Sequence, residues 1–322
     1  MSEKAIFNRL GLAMFVYLVL WVGLQLVLAT LIPVVAPNAL EQEWLYWLVV
    51  MGPMYFVALP VAVKLLKKLP TRKLYEHKLH KGHFVQIYLM TVALMLIGNI
   101  IGIIITTILT NVTGVDFAVS ITESIFEYKL IWVLLITVII APIVEEFLFR
   151  KVLIDRLIVF GDGVAIVVSA LMFGLTHGNL TQLFYTTLIG LMFGFVYVRT
   201  GKLKYSVGLH MLFNFLGGFV PAAFMKRMDI FEMQESLLYG DFSVVFERIG
   251  SLLGFVGYEM AIWGCGIAGF VLLIINRKKF LLYQGELPLS RGEVAKQFFT
   301  TPCMWLWIIA TVALFVINVV GI

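Results

Sequence analysis

Residues 130–153 read LIWVLLITVIIAPIVEEFLFRKVL, fifteen apolar or hydroxyl residues running without interruption into Glu145 and Glu146. A run this long and this greasy is a membrane helix rather than a strand, which needs only ~9–11 residues to cross and shows alternation. Two adjacent carboxylates inside it need an explanation, because a charge at the centre of a membrane helix costs about 2.5–3.5 kcal/mol on insertion scales.

Working outward, the rest of the chain has the same texture. Of 322 residues 61% are hydrophobic and only 13% charged, with a mean hydropathy of +0.99. A soluble globular protein carries about 25% charged residues. Apolar runs near 11–35, 45–66, 84–110, 130–150, 164–178, 180–198, 205–220, 253–275 and 303–321 predict nine helices. The expected architecture is therefore an all-α polytopic transmembrane bundle of about 8 to 9 spans. The fifth and sixth runs, joined only by Gly178 and Asn179, are the shortest for a crossing. The first run is too long for the ~7–15-residue core of a signal peptide and reads as a retained helix.

Charge gives an orientation. With the N-terminus placed in the cytoplasm, all but four of the 24 Lys and Arg residues fall inside, the exceptions being Lys129, Lys226, Arg227 and Arg248. Outside lie Glu41, Glu43, Asp116, Glu123, Glu127, Asp229, Glu232, Glu235, Asp241 and Glu247. This is the positive-inside pattern, so the net charge of +5 reflects topology and not a nucleic-acid partner. Cys265 and Cys303 form no disulfide framework and no zinc motif. No linker or repeat divides the chain, and residues 1–322 read as a single membrane domain. Residues 221–250, with Phe224, Met228, Leu237 and Leu238 among charges, fit an amphipathic surface helix or a plain connecting loop.

Polar residues inside the spans define the candidate site. Arg150 follows Glu146 by four positions, the favourable order for a pair on one helical face. Glu145 points about 100° away and is left free for chemistry; otherwise both glutamates merely anchor to Arg150, Lys151 and Arg156 near the membrane surface. His177 closes the run FGLTH, and HMLFN sets His210 and Asn214 one turn apart. Together these residues supply a general base, imidazoles able to orient water or bind metal, and an amide donor for an oxyanion.

Three motifs in order, Glu145-Glu146-x-x-x-Arg150, Phe173-x-x-x-His177 and His210-x-x-x-Asn214, resemble the CAAX prenyl protease and bacteriocin-processing (CPBP, Abi-like) family of intramembrane proteases. The likeness covers residues 129–220, the family-like catalytic core, and leaves 1–128 and 221–322 without an assigned role. It implies an intramembrane endopeptidase acting on a membrane-associated peptide or protein. Glu145 would activate water, His177 would help hold it, and His210 and Asn214 would stabilise the oxyanion, with Arg150 and Phe173 in support. The family is often classed with metalloproteases. His177, His210 and Glu145 would make a three-ligand zinc site, and they equally make a metal-free one.

Two other functions fit such a bundle: a non-catalytic scaffold or bacteriocin-immunity protein of the same fold, and a proton-coupled transporter. A scaffold has no use for a free Glu145 beside His177, and there is no inverted repeat to suggest transport. The expected location is a bacterial cell membrane, with the active site open to the cytoplasm. Depth adds an expectation. His177 and His210 lie well inside the bilayer, and Glu145 converges on them better if the fourth helix continues to about Asp155 or beyond, which predicts a long fourth helix. The basic loop containing His77, His80 and His83 reads as a solvated surface segment and not as a metal site. Glu259 reads as an interfacial acid, and the pairs Gly98/Gly102, Gly174/Gly178 and Gly190/Gly194 as helix-packing surfaces.

Overall fold

The computed structural model describes residues 1–117 and 128–320, so the expected outer acids Glu123 and Glu127 lie outside the described residues. The described residues contain no β-strand beyond an isolated bridge between Gly161 and Gln284. Among the described residues eight helices are long and apolar enough to cross a membrane: α1 (Glu3–Val35), α2 (Glu43–Leu66), α3 (Lys81–Thr113), α4 (Leu130–Phe160), α6 (Leu180–Thr200), α7 (Leu203–Met228), α9 (Ile249–Lys279) and α11 (Pro302–Val320). The ninth expected helix, α5 (Asp162–Thr176), is present but has only 15 residues, about 22 Å against a hydrocarbon core of ~30 Å. Two further helices, α8 (Ile230–Leu238) and α10 (Arg291–Thr300), are too short to span. The segment read as either an amphipathic helix or a loop continues α7 to Met228 and then forms α8 and a turn of helix at Ser243–Glu247.

Helices α4, α5, α6 and α7 pack against one another, α1 packs on α2 and α11, α2 also meets α4, and α3 packs on α6 and α9. Glycine permits the closest crossings. A Cβ on Gly98 of α3 would overlap the Tyr185 backbone of α6, and one on Gly174 of α5 would overlap the Thr187 hydroxyl of α6. The small-residue pairs thus bring backbones together within the chain, where packing rather than hydrophobic transfer holds membrane helices together.

α4 runs to Phe160, as the depth argument predicts. It is not uniformly α-helical: Val133–Ile140 and Phe147–Ile154 are π-helical and flank the segment Ala141–Glu146. Single π turns interrupt the regular ladder and often occur at functional sites. The far end of α4 is pinned by polar contacts. Tyr197 donates to Asp155 at 2.7 Å, Lys151 pairs with Asp155 at 2.7 Å, and Arg156 Nε donates to the Leu66 carbonyl at 2.9 Å.

Candidate active site

Glu145 and Glu146 leave α4 in different directions and have different partners. Glu146 is fully buried, with Oε2 3.1 Å from Arg150 Nε and Oε1 3.2 Å from His210 Nδ1. Arg150 is equally buried. Its Nη1 donates to Ser169 Oγ at 2.9 Å, and Ser169 donates in turn to the Phe149 carbonyl at 2.6 Å. The guanidinium also lies over the Phe173 ring, 4.9 Å from its centroid. A buried ion pair survives only when further contacts satisfy both partners. Here the hydroxyl, the imidazole and the aromatic face supply most of those contacts, and Arg150 Nη2 is buried with no hydrogen-bond partner among the described residues.

Glu145 remains 20% exposed at its side chain, and His210 Nε2 stands 3.7 Å from its Oε2. Among the described residues no Lys or Arg pairs with it. Lys151 is taken by Asp155 and Arg156 by backbone carbonyls, so neither basic residue anchors the glutamates.

His177 follows the last residue of α5. Its Nδ1 lies 2.9 Å from the Phe173 carbonyl. A carbonyl can only accept, so Nδ1 carries a proton, which in the neutral ring leaves Nε2 as the acceptor. Phe173 is the hub: its ring meets the Phe149, His177 and His210 rings edge-on at 5.3, 4.9 and 5.6 Å. The Phe-x-x-x-His spacing therefore orients one imidazole through the backbone and packs against both.

Glu145 and His177 line one small cleft with Thr176, Phe149, Tyr17, Trp21 and Met54. Its volume of about 50 Å³ admits a few water molecules. Tyr17 and Trp21 come from α1 and Met54 from α2, two helices in which the sequence shows no chemistry. A tyrosine among apolar residues gives no signal of its own, and only the packing of α1 and α2 beside α4 reveals it. Asn214, expected as an oxyanion donor, points one amide hydrogen at the Thr137 carbonyl, 2.7 Å away, and keeps a second N–H.

Each imidazole has Nδ1 engaged and only Nε2 left. Among the described residues no group of three or more His, Cys, Asp or Glu side chains is placed to hold a metal ion.

Comparison with known proteins points to the same segment. Residues 127–216 match the family described as type II CAAX prenyl endopeptidase Rce1-like. The chain is 29% identical over 169 residues to the membrane-embedded CAAX protease MroQ of Staphylococcus aureus (strain USA300), covering 50% of this chain and 66% of that protein. It is 31% identical over 85 residues to the candidate membrane peptidase YdiL of Bacillus subtilis (strain 168), covering 25% of this chain and 34% of that one. The matched regions thus span from a third to just under two thirds of the curated relatives. No solved structure matches. Residues 127–216, which supply the whole cluster of Glu145, Glu146, Arg150, His177 and His210, are thus the part of this longer helical membrane chain that is similar to the Rce1-like CAAX prenyl endopeptidases.

Proposed function

We propose that the chain is an intramembrane endopeptidase that cleaves a peptide bond of a membrane-associated substrate with water activated by Glu145. The observation that carries this reading is the division of labour between adjacent carboxylates. Glu146 is held by Arg150 and His210, whereas Glu145 reaches a cleft of water size shared with His177.

In this reading water sits between the Glu145 carboxylate and His177 Nε2. Glu145 takes a proton as the water oxygen bonds to the scissile carbonyl carbon, leaving negative charge on the carbonyl oxygen. His210, in its doubly protonated form, donates from Nε2 to that oxygen while Glu146 balances its charge at Nδ1. The second amide hydrogen of Asn214 is the other donor. Glu145 then returns the proton to the departing amine as the carbon–nitrogen bond breaks. General-base catalysis of this kind contributes about 10²–10⁴-fold, and preorganised oxyanion donors in a dry site add to it. No metal enters the scheme. The cleft is proposed to open toward the basic, cytoplasmic face of a cell membrane.

Cleavage of a membrane-bound peptide reporter by wild type and Glu145→Ala tests the reading. The variant should keep the wild-type melting temperature and lose turnover. Equal cleavage by both would remove Glu145 as the base, and equal biological effect without cleavage by either would favour the scaffold.

A further inference from the structure

Away from the carboxylate–imidazole cluster, three cavities adjoin one another along α6. One of about 300 Å³ is walled by Leu94 of α3, Val167 of α5, Leu191 of α6 and Leu273 of α9. A second, of about 240 Å³, shares Phe195 and Phe280 with it and follows the same helices to His83, Arg199 and Lys279. On the other side of Arg199 a third, of about 340 Å³, is lined by Arg72, Lys73 and His77. Leu191 and Arg199 are two helical turns apart, about 12 Å along α6. A slot with apolar walls inside the bilayer therefore ends at a cationic mouth.

The mouth is preorganised and short of anions. Arg199 is half-buried, its guanidinium held 4.6 Å from the Tyr283 ring centroid and 5.5 Å from that of Phe195. Among the described residues no carboxylate forms an ion pair with Arg199, Lys73 or Lys279. The nearby acids are engaged elsewhere: Glu286 with Arg72 at 3.4 Å, Glu76 with Lys202 at 3.4 Å, and Asp162 with the Tyr283 backbone N–H at 3.0 Å. Basic pockets between membrane helices bind anionic headgroups, and each Lys or Arg near the surface adds about 1 kcal/mol of attraction to anionic lipid.

We propose that this slot binds one anionic phospholipid, with an acyl chain along α3, α6 and α9 and the phosphate at Arg199 and Lys279. A free phosphate would leave the apolar walls unfilled, and a zwitterionic lipid would leave the cations uncompensated.

The test is thermal stabilisation of delipidated full-length protein by phosphatidylglycerol, phosphatidylcholine and glycerol phosphate. Phosphatidylglycerol should act at about tenfold lower concentration than phosphatidylcholine, and glycerol phosphate should have no effect. Arg199→Gln with Lys279→Gln should erase the headgroup preference, whereas Lys67→Gln with Lys68→Gln, on the same basic face outside the slot, should preserve it. Leu191→Trp should weaken both lipids by filling the slot. Equal response to the two lipids in wild type, an equal response to glycerol phosphate, or an equal loss in the Lys67/Lys68 variant would overturn the proposal. The wild-type headgroup series and Leu191→Trp decide the matter even if the Arg199/Lys279 variant does not fold.

Discussion

Asn214 of α7 donates its side-chain amide to the Thr137 carbonyl of α4 at 2.7 Å, at a point where α4 cannot satisfy that carbonyl itself. The Ala141 N–H turns back to Ile136, the i to i−5 pattern of a π turn. The same pattern would pair the Thr137 carbonyl with residue 142, a proline with no N–H to give. Asn214 closes the gap from a neighbouring helix, which also fixes how α7, and with it His210, sits against α4.

Replacing Asn214 with Ala should therefore lower stability by about 1–3 kcal/mol, the cost of an unsatisfied buried polar group. Asn214→Asp should be worse, since a carboxylate faces the carbonyl with no donor. Thermal melting in detergent reads both effects. An unchanged melting temperature in Asn214→Ala would mean that the bond does not hold the two helices.

Arg150 and Glu146 should behave as a coupled unit. Arg150→Met strands a buried carboxylate and should destabilise by about 3–5 kcal/mol. The double variant Glu146→Met, Arg150→Met should lose clearly less than the sum of the two single changes. A double-mutant cycle on melting temperature measures the coupling, and strict additivity would contradict the buried pair.

Chelation should leave peptide cleavage intact. Treatment with EDTA and 1,10-phenanthroline, with elemental analysis of the purified protein, is expected to show full activity and substoichiometric metal. Loss of activity restored by added zinc would overturn the metal-free scheme.

Gly174 should tolerate no side chain. Gly174→Val forces α5 away from Thr187 and the Leu183 carbonyl of α6, an overpacking cost of about 1–3 kcal/mol. Because His177 lies three residues further on, turnover should fall more steeply than stability. Thr187→Ala in the same chain should recover part of both, and failure to recover either would place the damage elsewhere.

Much of the site is legible in the primary structure because it rests on spacing within single helices. Glu146 and Arg150 meet because positions i and i+4 share a face. The same logic applies to Phe173 and His177, and the run of apolar residues in α4 requires a membrane whatever its neighbours do. The nine helices are all present, with α5 shorter than a span.

Relations between helices are a different matter. That Ser169 supports Arg150, that Thr137 receives Asn214, and that Tyr17 and Met54 share a cleft with Glu145 depends on crossing angle, depth and rotation. Those quantities are set by small residues such as Gly98 and Gly174, by the π turns of α4, and by the summed packing of many apolar side chains, none of which marks its partner in the one-dimensional pattern. The amino-acid order alone determined that this is a membrane bundle, which polar side chains lie within its spans, and that Glu146 and Arg150 share a face. Tertiary structure alone decided that His210 and Ser169 complete the Glu146–Arg150 pair and that Glu145 shares a cleft with His177, because contacts between helices are properties of a three-dimensional surround that local periodicity does not contain.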